Sequence, residues 1–270
     1  ETDMRTAASM AATALLLLVT AFGAIAQEGT GTVTVVHAVP DTTVDVYVNG
    51  DLTLEGFEPK TITDPLELPA GDYDIAIRPA GADAASDPVI ATDSPITLPA
   101  GANAAIVAHL TEAGDPTLSV FVNDTSTIDA GNARVSVRHT AAAPAVDVTA
   151  NGDVLISSLA NGNAETADVP ADTYSVAVQP AGTSDPVIGP TDLTLEEGTA
   201  YLVYAYGSAE AGNLDLLVDT ISGLHGAPSG VPSGNGGQAA DGTAGPALAL
   251  LSAGLVLVGL SARRLQKVRA

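Results

Sequence analysis

His37 opens the run His-Ala-Val-Pro-Asp, with Asp41 four residues on and Asp45 four beyond that. An imidazole and two carboxylates at this spacing are the parts of a metal site or of a general acid–base pair. His139 and Asp147 stand at the matching places of a second, similar stretch. The competing use of the same residues is structural, with each histidine closing a strand through a backbone hydrogen bond. In Val44-Asp45-Val46 and Val146-Asp147-Val148, period two turns the acid to the face opposite the valines, so both carboxylates are expected to face solvent. The remaining histidines, His109 and His225, fall in a strand-like run and in a glycine-rich stretch.

Other chemistry needs motifs that are missing. The body of the chain has no Gly-x-Ser-x-Gly elbow, and no His-Glu-x-x-His, phosphate-binding loop or dinucleotide fingerprint occurs. The Asp-x-Asp/Asn-x-Asp/Asn-Gly calcium loop is absent as well. Acidic turns at Asp83 to Asp87 and Asp124 to Asp129 leave room for a weak extracellular calcium site and nothing stronger. No catalytic, cofactor-binding or metal-ligating residue is therefore assigned, and an enzyme is not expected. Tyr73, Tyr174 and Tyr201 each follow a turn at the entry to a strand. That position suits a tyrosine corner, in which the hydroxyl bonds back to the backbone and the ring enters the core. A sugar-stacking platform is the alternative for the same three rings.

The elements that position these residues come in two copies. At an offset of 102, Val33-Thr34-Val35-Val36-His37 aligns with Val135-Ser136-Val137-Arg138-His139, and Asn49-Gly50-Asp51 with Asn151-Gly152-Asp153. Pro69-Ala70-Gly71-Asp72-Tyr73 then meets Pro170-Ala171-Asp172-Thr173-Tyr174, and Asp87-Pro88-Val89-Ile90 meets Asp185-Pro186-Val187-Ile188. Within each copy apolar residues alternate over short runs between closely spaced turns, the pattern of an all-β sandwich or barrel. Asn-Gly at 49–50 and 151–152 is the signature of a type I′ hairpin turn. The expected architecture is all-β: two tandem Greek-key sandwiches of immunoglobulin or prealbumin type, at 31–129 and 133–222. The first, expressed alone, is expected to unfold cooperatively.

The blocks Val33 to Asp41, Val44 to Gly50 and Leu68 to Tyr73, with Gly131 to His139 opening the second copy, resemble the bacterial surface family called domain of unknown function 4397. The resemblance covers nearly all of residues 31 to 222. It implies exported, often tandem β-sandwich modules on bacterial envelopes, with no established activity. The second copy departs from the pattern, because Thr140-Ala-Ala-Ala-Pro144 replaces the Pro-Asp element of the first.

The ends of the chain read as address signals. Met4-Arg5, an apolar run from Ala11 to Val19 and Ala24-Ile25-Ala26 are the parts of a secretory signal peptide over 1–26, behind the short leader Glu1 to Asp3. Residues 244–262 are uncharged and long enough to cross a bilayer as one helix, and the basic tail 263–270 orients them with the C-terminus cytoplasmic. Residues 223–243 are a Gly/Pro/Ser-rich tether. The whole is expected to be a single-pass surface protein, joined to the membrane by that C-terminal helix.

Composition narrows the partners. Against 32 Asp and Glu stand 9 Lys and Arg, a formal charge of −23, and a phosphate backbone would be repelled over most of such a surface. Nucleic acid is excluded as a partner on that ground. With no Cys there is no thiol chemistry and no disulfide scaffold. The expected partner is an envelope or extracellular protein or a glycan, without a cofactor. The expected role is structural, adhesive or ligand-binding; a calcium- or glycan-dependent adhesin comes second, and a β-sandwich hydrolase a distant third.

Overall fold

The computed structural model describes residues 29–226. The expected signal peptide, transmembrane helix and basic tail lie outside the described residues, as does the tether beyond residue 226. Every element between Thr30 and Ile221 is a strand. The first repeat contains β1 (Thr30–His37), β2 (Val44–Val48), β3 (Asp51–Phe57), β4 (Leu66–Pro69), β5 (Gly71–Tyr73), β6 (Ile75–Pro79), β7 (Ile90–Ala91), β8 (Ile96–Leu98), β9 (Asn103–Leu110) and β10 (Pro116–Val122). The second contains β11 (Asn132–His139), β12 (Val146–Ala150), β13 (Asp153–Leu159), β14 (Ala164–Pro170), β15 (Thr173–Pro180), β16 (Ile188–Thr194), β17 (Ala200–Tyr206) and β18 (Asp215–Ile221).

Each repeat is a sandwich of two four-stranded sheets. In the first, β10-β9-β1-β4 faces β3-β2-β6-β7, with β5-β8 as a short separate pair. In the second, β18-β17-β11-β14 faces β13-β12-β15-β16. The pairs β1–β9 and β11–β17 are parallel, and all other strand pairs are antiparallel. The alternating valines do what period two requires: Val33, Val44 and Val46 meet Ile75 and Ile77 between the sheets of the first repeat. Val135, Val146, Val148 and Val178 do the same in the second. Each such valine or isoleucine removed from water contributes about 1.5–3 kcal/mol before conformational entropy is set against it.

Both expected hairpins form. Asn49 and Gly50 have φ of 52° and 87°, and Asn151 and Gly152 have 55° and 88°, which is the left-handed pair a type I′ turn demands. Each asparagine also accepts a backbone N–H from across the sheet, from Asp74 just before β6 at 2.9 Å and from Ser175 of β15 at 2.9 Å.

The two repeats stack through the outer faces of equivalent sheets. Val36, Ala38, Ala105, Val107 and Phe121 of the first share one buried apolar cluster with Leu202, Tyr204, Tyr206 and Leu217 of the second. The sheets carrying β9, β11 and β17 are thus covered on both sides, once by their own sandwich core and once by the other repeat. This explains why Ala200-Tyr-Leu-Val-Tyr-Ala-Tyr206 is apolar without interruption and buried throughout, as strands covered on both faces are. Past β18 the chain stays attached to the body. Leu224 donates its N–H to Gly198 O and accepts one from Ile128, both at 2.8 Å.

Candidate functional site

The histidines and the second aspartate singled out for chemistry are brought to equivalent places in the two repeats and are engaged by the backbone, whereas Asp41 stands exposed in the turn after β1 at φ of 59°. His37 donates from Nε2 to Thr42 O at 2.7 Å, while its Nδ1 accepts the N–H of Val39 at 3.3 Å. His139 donates from Nε2 to Pro144 O at 2.9 Å. Burial pushes both imidazoles below the usual histidine range, so they are neutral rings closing the loop after the first strand of each repeat. This is the structural use of the two histidines.

The placement of the aspartates corrects the sequence reading. Asp45 and Asp147 do not face solvent; they are 4% and 8% exposed. One oxygen of Asp45 accepts the N–H of Gly56 at 2.7 Å, and the other that of Gly81 at 2.9 Å. Asp147 accepts from Ser158 at 2.8 Å and from Gly182 at 2.8 Å. Alternation does put each carboxylate on the far side from the core valines. There, however, a bulge in the adjoining strand and the turn after Pro79 or Pro180 fold over it. Gly56 and Ser158, at φ of 62° and 55°, are the left-handed corners these carboxylates hold, free of strain for the glycine and costly for the serine. The two backbone donors keep the Asp147 carboxyl below the ordinary carboxylate range.

The tyrosine corners form as expected in two cases: Tyr73 Oη donates to Pro69 O at 2.6 Å and Tyr174 Oη to Pro170 O at 2.9 Å. Tyr201 is a variant, its hydroxyl accepting the N–H of Glu196 at 2.9 Å. The acidic turns also satisfy themselves. Asp83 accepts from Ala85, and Asp124 accepts from Ser126 and pairs with Arg134 at 3.1 Å. Among the described residues no group of three His, Asp or Glu side chains is arranged to hold a metal ion.

Two constellations were not foreseen, and both lie in the seam between the repeats. His109, 1% exposed on β9, donates from Nδ1 to Leu110 O at 2.9 Å and accepts the Ser119 hydroxyl at Nε2 at 2.8 Å. A serine on a histidine is the start of a nucleophile–base pair. Here the third group is a backbone carbonyl, not a carboxylate, and the ring is enclosed between two sheets. Arg138, on β11, is the second. Its guanidinium lies between the rings of Phe121 and Tyr204, at 5.0 and 4.9 Å from their centroids. It donates to Tyr204 Oη at 2.5 Å and to Asn123 Oδ1. Burial pushes the Tyr204 phenol up to about 12 and raises the nearby Asp219 carboxyl. At the edges of the seam, Lys60 donates to Asp215 at 2.7 Å, and Asn161 Nδ2 donates to Leu110 O at 3.0 Å and Ala141 O at 2.7 Å.

Each sandwich also encloses an apolar cavity between its sheets, of about 300 Å³ in the first repeat and about 250 Å³ in the second. Matching positions form the two walls, for example Val35 and Val137, Tyr73 and Tyr174, Leu118 and Leu216.

The model of the family described as domain of unknown function DUF4397 matches residues 31–149 and again 140–224. The chain belongs to that family. It carries two DUF4397 copies, and the duplicated histidine, aspartate and tyrosine devices fall inside the two matches. No curated protein matches the chain. Among solved structures, the Bacillus anthracis TIE protein shares 9% identity at a TM-score of 0.22, over 66% of this chain and 33% of that one. The chain thus spans about a third of that protein's length, and so slight a likeness bears on neither fold nor function.

Proposed function

We propose that this DUF4397 protein is a non-catalytic, membrane-anchored bacterial surface protein. It displays its two repeats outside the cell as one structural, adhesive or ligand-binding block. Each repeat is read as a Greek-key sandwich, with the signal peptide at 1–26 directing export and the helix at 244–262 holding the block to the membrane. The observation that carries the reading is the use made of the reactive side chains. Both loop-closing histidines, both buried aspartates and the tyrosine corners bond to backbone groups of their own repeat, which is work that rigidifies a display module. In the Ser119–His109 pair the ring is buried and its other nitrogen bonds to the backbone carbonyl of Leu110, so no carboxylate completes a triad.

The test is surface proteolysis of intact cells expressing the full chain. External protease should remove the body, and the chain should fractionate with membranes until residues 244–270 are deleted, after which it should appear in the medium. A body protected from external protease, or a membrane fraction unchanged by the deletion, overturns the proposal.

A further inference from the structure

We infer that each repeat binds one uncharged lipophilic molecule, an alkyl or isoprenoid-like chain, in the cavity between its sheets. The inference rests on the cavities and not on how the protein is anchored. Protein interiors are close-packed, with few voids larger than a water molecule, and an unfilled void is costly to keep. Here the void occurs twice, walled in large part by equivalent residues. The cause lies in the composition: the sequence has no Trp and only 3% aromatic residues, so valines and leucines must span the gap between two sheets. Stacked sheets sit about 10 Å apart, more than such short side chains fill everywhere.

Size, polarity and access all point to the same ligand class. A dry apolar cavity of about 150 Å³ takes up benzene, so about 300 Å³ has room for roughly twice that, a chain of about ten carbons or two fused rings. Water has little to hold it there. The unpartnered buried polar atoms among the described residues belong to Thr34, Arg138 and His139, none of which lines either cavity. The mouths are marked by Val120 and Val218, each 42% exposed and each lining its cavity from the matching edge strands β10 and β18. The charged lining is acidic, Asp51 in the first cavity and Asp192 in the second beside the Lys60-paired Asp215, and no basic residue lines either one. Such a rim disfavours a carboxylate or phosphate headgroup.

The probe is the neutral fluorophore 1-aminoanthracene, titrated into the full chain in lipid nanodiscs, with empty nanodiscs as the background. We expect saturable binding of two probes per chain above that background. Val120→Trp and Val218→Trp, at partly exposed positions that leave the cores in place, should each remove one site, and the double variant both. Ala104→Leu, which fills the first void from inside, should remove one site with Val218 untouched. An anionic naphthalene sulfonate should bind at least about tenfold more weakly, the rim carboxylates adding their repulsion. Three results overturn the inference: no saturable signal above empty nanodiscs, a signal that both the Trp pair and Ala104→Leu leave intact, or equal binding of the anionic probe. Failure here leaves the surface-display reading standing, because that reading is decided by protease access and fractionation.

Discussion

At the seam, several positions that correspond by strand register carry small side chains in the first repeat and large ones in the second, whereas Phe121 of the first answers to the smaller Asp219 of the second. Val36, Ala105 and Val107 of β1 and β9 correspond to Arg138, Leu202 and Tyr204 of β11 and β17. Two identical faces would clash wherever both were large and leave gaps wherever both were small. Divergence into a shallow face and a filled one lets the guanidinium of Arg138 and the ring of Tyr204 settle against Phe121 and Asn123. The devices that serve one repeat alone follow the opposite rule. The aspartate clamp and the Asn-Gly hairpin recur in both copies with closely similar bond lengths, and each histidine closes its loop through Nε2, although only His37 also engages Nδ1. Local folding thus uses one solution twice, while the contact between the copies is specific to this pair.

The largest way to break that comparison is Arg138→Ala. It strips partners from Asn123 and Tyr204 in a buried seam, and should cost about 3 kcal/mol or more in urea unfolding of the full chain. Conversely, Val36→Arg, at the matching position of the first repeat, should overpack the same seam and also destabilise it. Next in size come the clamps. Asp45→Ala orphans two backbone N–H groups and should cost about 2 kcal/mol, with Asp147→Ala moving the unfolding midpoint in the same direction. If only one of the two variants shifts the midpoint, the clamps are not equivalent.

How much of this the chain discloses depends on distance along it. The hairpins and tyrosine corners are legible because donor and acceptor lie within a few residues, as in Tyr73 and Pro69. Asp45 is not legible from alternation, since what buries it are Gly56 and Gly81, which period two cannot bring into view. A signal did exist: a Val-Asp-Val triplet recurs in both copies with a Pro-Ala-Gly turn some 35 residues on, as the bonds from Gly81 and Gly182 record. The seam was likewise announced by the unbroken apolar run of β17, which no sandwich with one wet face needs. The register that sets Arg138 beside Tyr204 arises only when the distant strands β11 and β17 pair, and the cavities only when the two sheets of a repeat are stacked.

The pH response separates shared devices from the seam. Burial lowers His37, His109 and His139 beneath the ordinary value of 6.5, so the unfolded chain binds protons that the folded one refuses. Their contribution is complete above about pH 6.5 and is lost as pH falls toward the depressed values. Asp219, raised by burial, acts in the opposite sense but stands alone against three histidines. The thermal midpoint should therefore fall between pH 7.5 and pH 5, and His109→Gln, which removes the seam histidine, should shrink that fall. A midpoint indifferent to pH in this window would contradict the buried, neutral assignment. The smallest effect is reserved for Lys60→Ala. Its bond to Asp215 is half exposed at both ends, and its loss should move stability by no more than about 0.5 kcal/mol.

The central claim is that two sandwiches with separate cores behave as one body because their faces interlock. Calorimetry tests it most directly. The intact chain should unfold its β body in one transition whose calorimetric and van't Hoff enthalpies agree, and Arg138→Ala should split that transition in two. Two independent transitions in the unaltered chain, unmoved by the Arg138 substitution, would contradict it.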